Sequence, residues 1–280
     1  MIKFPRVVDL NVNGACNLNC FFCYGPSKDA AELKTESILR CIDILKGGGV
    51  EFISITGGEP TLRSDLLTIV AHVKSKGMQC ALHTNGHFLG RNNPLLQYLS
   101  WIAMPLDGFD SKSHQRMRGD SVGFERVTTF LDWLSSSEHR PNLQIKIGTV
   151  VTRNNVNQLK RISGVLSKLD IDVWKIHELR PRGMGAVSYR KTHVDNGEIR
   201  RIVEEIQKSE TGYKISYSST SQSDGAYMFV YPDGEVRTPK VDGYVSHGCL
   251  LNPNFEFDFA KEMSVTNFNN NVELAYGIQD

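Results

Sequence analysis

The sequence predicts an α/β fold of parallel strands with a short β extension at its C-terminal end. Three observations carry that reading. Short apolar runs alternate with amphipathic stretches from residue 7 to residue 208. The alternation stops near Gly212, and every chemistry-bearing motif falls just after an apolar run. Strands that alternate with helices pair in parallel through crossovers, in an open or closed barrel or sheet. Such architectures place their chemistry at the C-terminal strand ends.

The elements follow in order. Residues 7–12 form the first strand and run into a cysteine-bearing loop. The pattern over 36–46 predicts a helix, with Ile38, Ile42 and Leu45 on one face and Thr35 as N-cap. Gly47, Gly48 and Gly49 close it, where a left-handed residue is cheapest. Residues 50–56 are β-branched and apolar, as in a strand covered on both faces. A helix over 65–76, ended by Gly77, leads to a strand at 78–84. Helices at 93–99, 124–136, 156–168 and 196–208 then alternate with strands at 100–106, 143–151 and 171–179. Past Gly212, residues 213–217, 226–231 and 235–238 read as short strands, with Pro232-Asp233-Gly234 a hairpin turn. Residues 1–211 are thus expected to form the barrel. Residues 212–280 are expected to form a C-terminal β-hairpin extension and tail of the same unit, the stretch from Asn252 being unassigned.

The 280 residues are 40% hydrophobic, enough for one sizeable core. A formal charge of +1 sets up no strong field toward a nucleic-acid polymer, a membrane or an acidic partner. No run reads as a membrane span or a secretory signal. Six cysteines are too few for a disulfide scaffold in a chain this long. They are expected to be reduced thiols, metal ligands or small core residues, in the cytoplasm. Cys41 and Cys80 lie in apolar patterns and read as core.

Cys16-Asn-Leu-Asn-Cys20-Phe-Phe-Cys23 places three thiols on the loop after the first strand. Three thiolates so spaced can wrap a cubane iron–sulfur cluster and leave its fourth iron without a protein ligand. That open iron can be chelated by an amine and a carboxylate. A structural zinc would need a fourth ligand; His83, His87 and His247 are available, but none sits in a matching pair. After the second strand, Gly57-Gly58-Glu59-Pro60 combines two residues that allow close backbone approach with a carboxylate that neutralises an ammonium.

Together these motifs resemble the radical S-adenosylmethionine (SAM) superfamily, and the resemblance covers most of the chain. It implies a partial (β/α)6 TIM-like barrel holding one [4Fe–4S] cluster on Cys16, Cys20 and Cys23. It also implies that Phe22 lies near the adenine of SAM, and that Gly57, Gly58, Glu59 and Pro60 meet its methionine amino group. His83-Thr84-Asn85-Gly86 resembles a family turn from which Thr84 and Asn85 reach SAM. Leu106-Asp107-Gly108, with His114 and Arg118-Gly119 beyond it, resembles a pattern of peptide-modifying and cofactor-building members. It implies SAM-side roles for Asp107 and for Arg118, at the carboxylate. Thr149 and His177, on the fifth and sixth strands, are further SAM-side candidates. Pro105 departs from the pattern, since proline cannot supply the hydrogen bond of the usual serine.

The activity implied is reductive cleavage of SAM to methionine and a 5′-deoxyadenosyl radical that abstracts hydrogen from a substrate, with a one-electron donor such as flavodoxin or ferredoxin. Residues 227–236 resemble the hairpin that opens a cysteine-rich SPASM or twitch extension. Its cysteine is replaced by Thr238-Pro239 and only Cys249 follows, so one cluster per chain is expected. Lys28 and Trp174-Lys175 resemble features of viperin-like members, which implies a phosphate-bearing substrate. Arg180 and Arg182 form a candidate clamp for phosphate or carboxylate, and Tyr227 a candidate at the barrel mouth. The leading expectation is radical chemistry on a small anionic metabolite or nucleotide. Radical modification of a peptide is the second. A non-catalytic metal-binding interaction protein is the third, and the Gly57–Pro60 motif argues against it.

Overall fold

Residues of alternating parity on each strand divide between an apolar core and a polar interior, and this division builds the site. The computed structural model describes residues 3–276 apart from Asn92, Glu210 and Asp242. Its strands are β1 (Val7–Asn11), β2 (Phe52–Thr56), β3 (Gln79–His83), β4 (Trp101–Pro105), β5 (Gln144–Val151), β6 (Val173–Glu178), β7 (Lys214–Ser218), β8 (Phe229–Val230), β9 (Glu235–Lys240) and β10 (Gly243–Cys249). They form one open sheet in the order β10-β9-β8-β1-β2-β3-β4-β5-β6-β7. From β8 through β7 every neighbouring pair is parallel, whereas β9 and β10 run antiparallel at one edge.

The six predicted strands are all present. The parallel sheet also runs one strand further than the alternation suggests. Residues 213–217 were expected in the terminal β extension, yet β7 lies parallel to β6, with Trp174 opposite Ile215. Pro232-Asp233-Gly234 does turn a hairpin: Tyr231 N–H donates to the Glu235 carbonyl at 2.8 Å, and Gly234 takes a φ of 86°. The first strand of that hairpin, β8, also joins β1 in parallel.

Helices α1 (Thr35–Gly47), α2 (Leu66–Ser75), α3 (Ser111–Arg118), α4 (Gly123–Ser135), α5 (Leu159–Leu166), α6 (Met184–Thr192), α7 (Asn196–Gln207), α8 (Phe259–Glu262) and α9 (Val265–Tyr276) complete the chain. The helices α1, α2, α4, α5 and α7 bury one stripe each; in α4 it is Val127, Phe130, Leu131 and Leu134. Spacings of three and four put these residues on one face, and each contributes about 1.5–3 kcal/mol on burial.

Two local expectations are corrected. Residues 93–99 form only a single 3-10 turn at Leu96–Tyr98. Asn93 explains this: its side-chain oxygen accepts from Leu95 N–H at 3.0 Å and its carbonyl from Leu96 N–H at 3.1 Å, a local alternative to helix. Thr35 is not the cap of α1; it is the first helical residue, and its hydroxyl donates to Asp65 at 2.6 Å.

The unassigned tail supplies α9, which packs Phe268 and Val272 into the core against β7. Its start is tied down by Ser264 N–H to the Gly225 carbonyl at 3.1 Å and by Asn267 to the Asp224 carbonyl at 2.9 Å. Its last described residue, Tyr276, reaches the first residues of β2 and β4, with ring centroids 4.4 Å from Phe52 and 5.5 Å from Trp101. The helix therefore floors the barrel at the N-terminal ends of its strands, opposite the cysteine loop.

Candidate active site

Inward-facing positions two apart on β1 (Asp9, Asn11), β5 (Lys146, Gly148, Val150) and β6 (Lys175, His177) line one cavity. At its upper end stand Cys16, Cys20, Phe22, Cys23, Gly57, Gly58, Glu59, Thr84, Asn85 and Arg118. Below them lie His83, Tyr227 and, from α9, Asn271 and Tyr276. Motifs from six segments of the chain thus share one chamber.

The upper end is stitched together by short loops. Gly58 N–H donates to the Asn13 carbonyl at 2.9 Å and Glu59 N–H to the Ala15 carbonyl at 2.8 Å. Gly57 has a φ of 136°, and a Cβ on Gly58 would sit 2.2 Å from the Ala15 carbonyl oxygen. Both glycines let the β2 loop press against the cysteine loop, so here the close approach is backbone to backbone. Glu59 is 1% exposed. Its Oε1 accepts from Thr61 N–H at 3.1 Å, from the Thr61 hydroxyl at 2.5 Å and from the Thr84 hydroxyl at 2.7 Å. Among the described residues its Oε2 accepts only from Asn85 N–H at 2.7 Å, which leaves that oxygen acceptor capacity for an ammonium.

Arg118 is oriented by Asp107, whose Oδ2 receives its Nε–H at 2.5 Å and whose Oδ1 receives Val150 N–H at 2.7 Å. Burial alone would lower the Arg118 pKa, but the Asp107 carboxylate and the Cys20 sulfur more than reverse that. The guanidinium lies 5.3 Å from the Phe22 ring and 3.8 Å from Cys20 Sγ. Asp107 is fully buried and does not line the cavity, so it acts by positioning Arg118.

The three thiols suit an iron–sulfur cluster. All three line the cavity, and each has a donor beside it: Leu18 N–H 3.4 Å from Cys16, Gly25 N–H 3.4 Å from Cys23, and Arg118 at Cys20. Burial pushes the Cys16 and Cys20 thiols up, so their thiolate forms call for a strongly positive partner. Among the described residues no three Cys, His, Asp or Glu side chains converge as one metal ion would require. The histidines that a zinc site would recruit are engaged elsewhere. His87 meets Asp120 at 2.6 Å, His247 meets Thr238 at 2.9 Å, and His83 lies on the barrel floor, 3.3 Å from the Tyr276 hydroxyl.

Other predicted positions lie outside the chamber. Thr149 has the wrong strand parity: its hydroxyl donates to the Leu106 carbonyl at 2.6 Å and accepts from Trp174 Nε1–H at 2.9 Å. Pro60 is buried at the first position of a 3-10 turn. Lys28 is exposed and staples the cysteine loop, donating to the Cys16 carbonyl at 2.9 Å and to Asn19 at 2.7 Å. Arg180 and Arg182 are buried behind the cavity wall. Arg180 packs 5.3 Å from the Tyr24 ring and 5.2 Å from that of Tyr227, while Arg182 donates to the Lys240 carbonyl. Arg180 Nε and Arg182 Nε and Nη1 have no hydrogen-bond partner among the described residues.

Lys175, His177 and Tyr227 were singled out from the sequence, but their meeting in a lower chamber was not anticipated. Tyr227 lies there, against α9, and not at the barrel mouth. Lys175 donates to Asn271 Oδ1 at 2.7 Å, which also receives the Tyr227 hydroxyl at 2.8 Å. The Lys146 ammonium sits 4.0 Å from the centre of the Tyr276 ring. Burial and then the neighbouring lysines hold His83 well below its usual pKa; at His177, burial, Lys175 and Arg180 do the same. Tyr227 is brought down to about 8: burial raises it, but Lys175 and Arg180 outweigh that. A signal was present. Asp9 and Lys146 interrupt apolar runs of parallel strands, where a charged residue facing a packed core would be too costly.

An AdoMet-dependent heme synthase of Methanosarcina barkeri is 26% identical over 270 residues, 92% of this chain and 75% of that one. A probable GTP 3',8-cyclase of Saccharolobus islandicus is 29% identical over 258 residues, 88% and 80% of the two chains. Among solved structures, Streptococcus suis SuiB bound to S-adenosylmethionine aligns over 98% of this chain and 68% of its own, with a TM-score of 0.72 and 15% identity. In the SuiB structure bound to its precursor peptide SuiA, this chain spans 66% of SuiB. anSMEcpe with bound AdoMet aligns over 96% of this chain and 82% of its own, at a TM-score of 0.63 and 15% identity. At that identity the structural likeness speaks for the fold. The sequence model of the radical SAM superfamily matches residues 10–162, more than half of the chain and the very strands and loops that build the upper chamber. The protein belongs to the radical SAM superfamily and is a radical SAM enzyme.

Proposed function

We propose that this enzyme cleaves SAM reductively and removes hydrogen from a small anionic metabolite or nucleotide held inside the barrel. One observation carries the reading: a single cavity runs from the three thiols down to Lys146 and Lys175, and α9 floors it. A chamber closed at the bottom suits a small molecule, and two buried lysines suit a negative one.

Cys16, Cys20 and Cys23 would hold one [4Fe–4S] cluster, and Glu59 and Arg118 would meet the amino and carboxylate groups of SAM. When bound, the two cofactors supply a 5′-deoxyadenosyl radical. The chain's own residues orient and shield. Thr61, Thr84 and Asn85 fix the Glu59 carboxylate, Asp107 fixes Arg118, and Phe22 is buried against Met117 and Leu179. A one-electron donor such as flavodoxin or ferredoxin would reduce the cluster, in a compartment that keeps the thiols reduced.

The test is anaerobic reconstitution with iron and sulfide, followed by dithionite and SAM, with chromatography for 5′-deoxyadenosine. About four iron atoms per chain are expected for one cluster. Carboxylated and phosphorylated metabolites should raise 5′-deoxyadenosine output, and unrelated peptides should not. If peptides alone stimulate it, the peptide-modifying reading replaces this one. If a fully loaded enzyme produces none, the proposed reaction is wrong.

A further inference from the structure

We infer that the barrel floor is an oxyanion site, in which Lys146 and Lys175 receive a doubly charged phosphate or dicarboxylate end of the substrate. The word substrate rests on the proposed reaction; the site itself rests on the geometry below.

Lys146 and Lys175 are 4% and 3% exposed, on adjacent strands. Their register sets them two residues apart, with Gly148 directly opposite Lys175. Both project into the cavity. Among the described residues neither has a carboxylate within ion-pair distance. Lys175 donates to a neutral amide, and Lys146 faces a neutral ring. A third cation, Arg180, stands behind the Tyr227 hydroxyl at 3.4 Å. Asp9, beside Ser54, is the one carboxylate at this end of the chamber among the described residues. The other titratable groups facing it are His83, His177, Tyr24, Tyr227 and Tyr276. Two lysines in the chamber, with Arg180 behind its wall, face one carboxylate, so positive charge is in excess at this end and an anion would offset it.

The charges also have room before them. A Cβ built on Gly148 meets only His177 Nε2, at 4.0 Å, and its φ is not in the left-handed range. The missing side chain leaves open space beside His177, two residues along β5 from Lys146 and opposite Lys175, where any larger residue would project. Buried like charges are costly when uncompensated. A fold keeps two of them beside an open gap when something of opposite charge enters it. Burial, and then Lys175, push the Lys146 pKa well below its ordinary value, and an anion entering beside it would restore the charged form. Asn271 and Tyr276 then have a role: α9 holds both lysine side chains toward the chamber through neutral contacts that leave their charge available.

The reconstituted full chain provides the test. Its thermal melting is followed with inorganic phosphate, with succinate and with chloride, at matched ionic strength. Phosphate or succinate should raise Tm by about 2–4 °C at several times its dissociation constant, and chloride should not. A response to phosphate alone identifies a phosphate ester as the substrate class; a response to succinate alone identifies a dicarboxylate. Lys175→Met and Gly148→Val should each abolish the shift, the first by removing charge and the second by filling the gap with all charges in place. The inference is overturned if neither anion shifts the wild type, or if the shift survives in both variants. Formation of 5′-deoxyadenosine by the wild type is measured in parallel. Its presence without anion binding removes this site and leaves the proposed reaction. Anion binding without it does the reverse.

Discussion

Glu59 and Lys175 are both buried charged residues in the barrel, and they are held in opposite ways. Glu59 accepts four hydrogen bonds from Thr61, Thr84 and Asn85, all within 26 residues of it in sequence. Among the described residues Lys175 makes one, to an amide 96 residues away. The rim is assembled from short loops that finish consecutive strands, and its polar groups are largely satisfied by one another. The floor joins β5, β6 and a helix from the far end of the described chain, and its charges face neutral partners. The difference separates two tasks: the rim presents a preorganised constellation for a chemistry shared across the superfamily, while the floor keeps charge in reserve for one molecule.

The sharpest break comes at the rim. Cys20→Ala should remove cluster iron and reduce 5′-deoxyadenosine formation at least ~10³-fold, against the rate accelerations typical of enzymes. Iron content and product chromatography read both. Glu59→Ala should cost about 3–5 kcal/mol in urea denaturation, because four donors, two of them buried, lose their acceptor. A loss below about 1 kcal/mol would show that the rim network is not what fixes that loop.

A pH series probes the same contrast more gently. His114 is buried beside Asp107, whose N–H it accepts at 3.2 Å, and burial brings its pKa down to about 4. In the unfolded chain it returns to about 6.5. The unfolded state therefore binds the proton first, and stability falls as pH drops from about 6.5 toward 4. His114 alone should account for roughly 2 kcal/mol between pH 6.5 and 5. The slope should flatten in His114→Gln. The smallest effect is expected at the floor. Tyr276→Phe deletes hydroxyl contacts of 3.3 Å to His83 and to Ser54 and should cost about 1 kcal/mol. A much larger loss would mean that the floor is as tightly bonded as the rim.

This contrast also explains what could be read in the sequence. The alternation of apolar runs and amphipathic helices was legible because each strand and its crossover helix are local. So were Cys16, Cys20, Cys23 and Gly57-Gly58-Glu59, whose spacing is set within single loops. Thr149 was misplaced because the direction of a side chain depends on strand parity, which composition does not reveal until the register is known. β7 was taken for part of the extension because a five-residue strand carries no mark of its partner's direction. Lys146, Asn271 and Tyr276 escaped notice because they meet only across long stretches of chain. Within its own helix Asn271 looks like any polar surface residue.

The position of α9 in the chain has a consequence for how the enzyme is made. Tyr276 hydrogen-bonds Ser54 across 222 residues, so the floor cannot form until the whole barrel has left the ribosome. Contacts of such long range are among the slowest to form. During synthesis the rim loops fold first over a barrel still open from below. The two lysines are shut in only once α9 has docked.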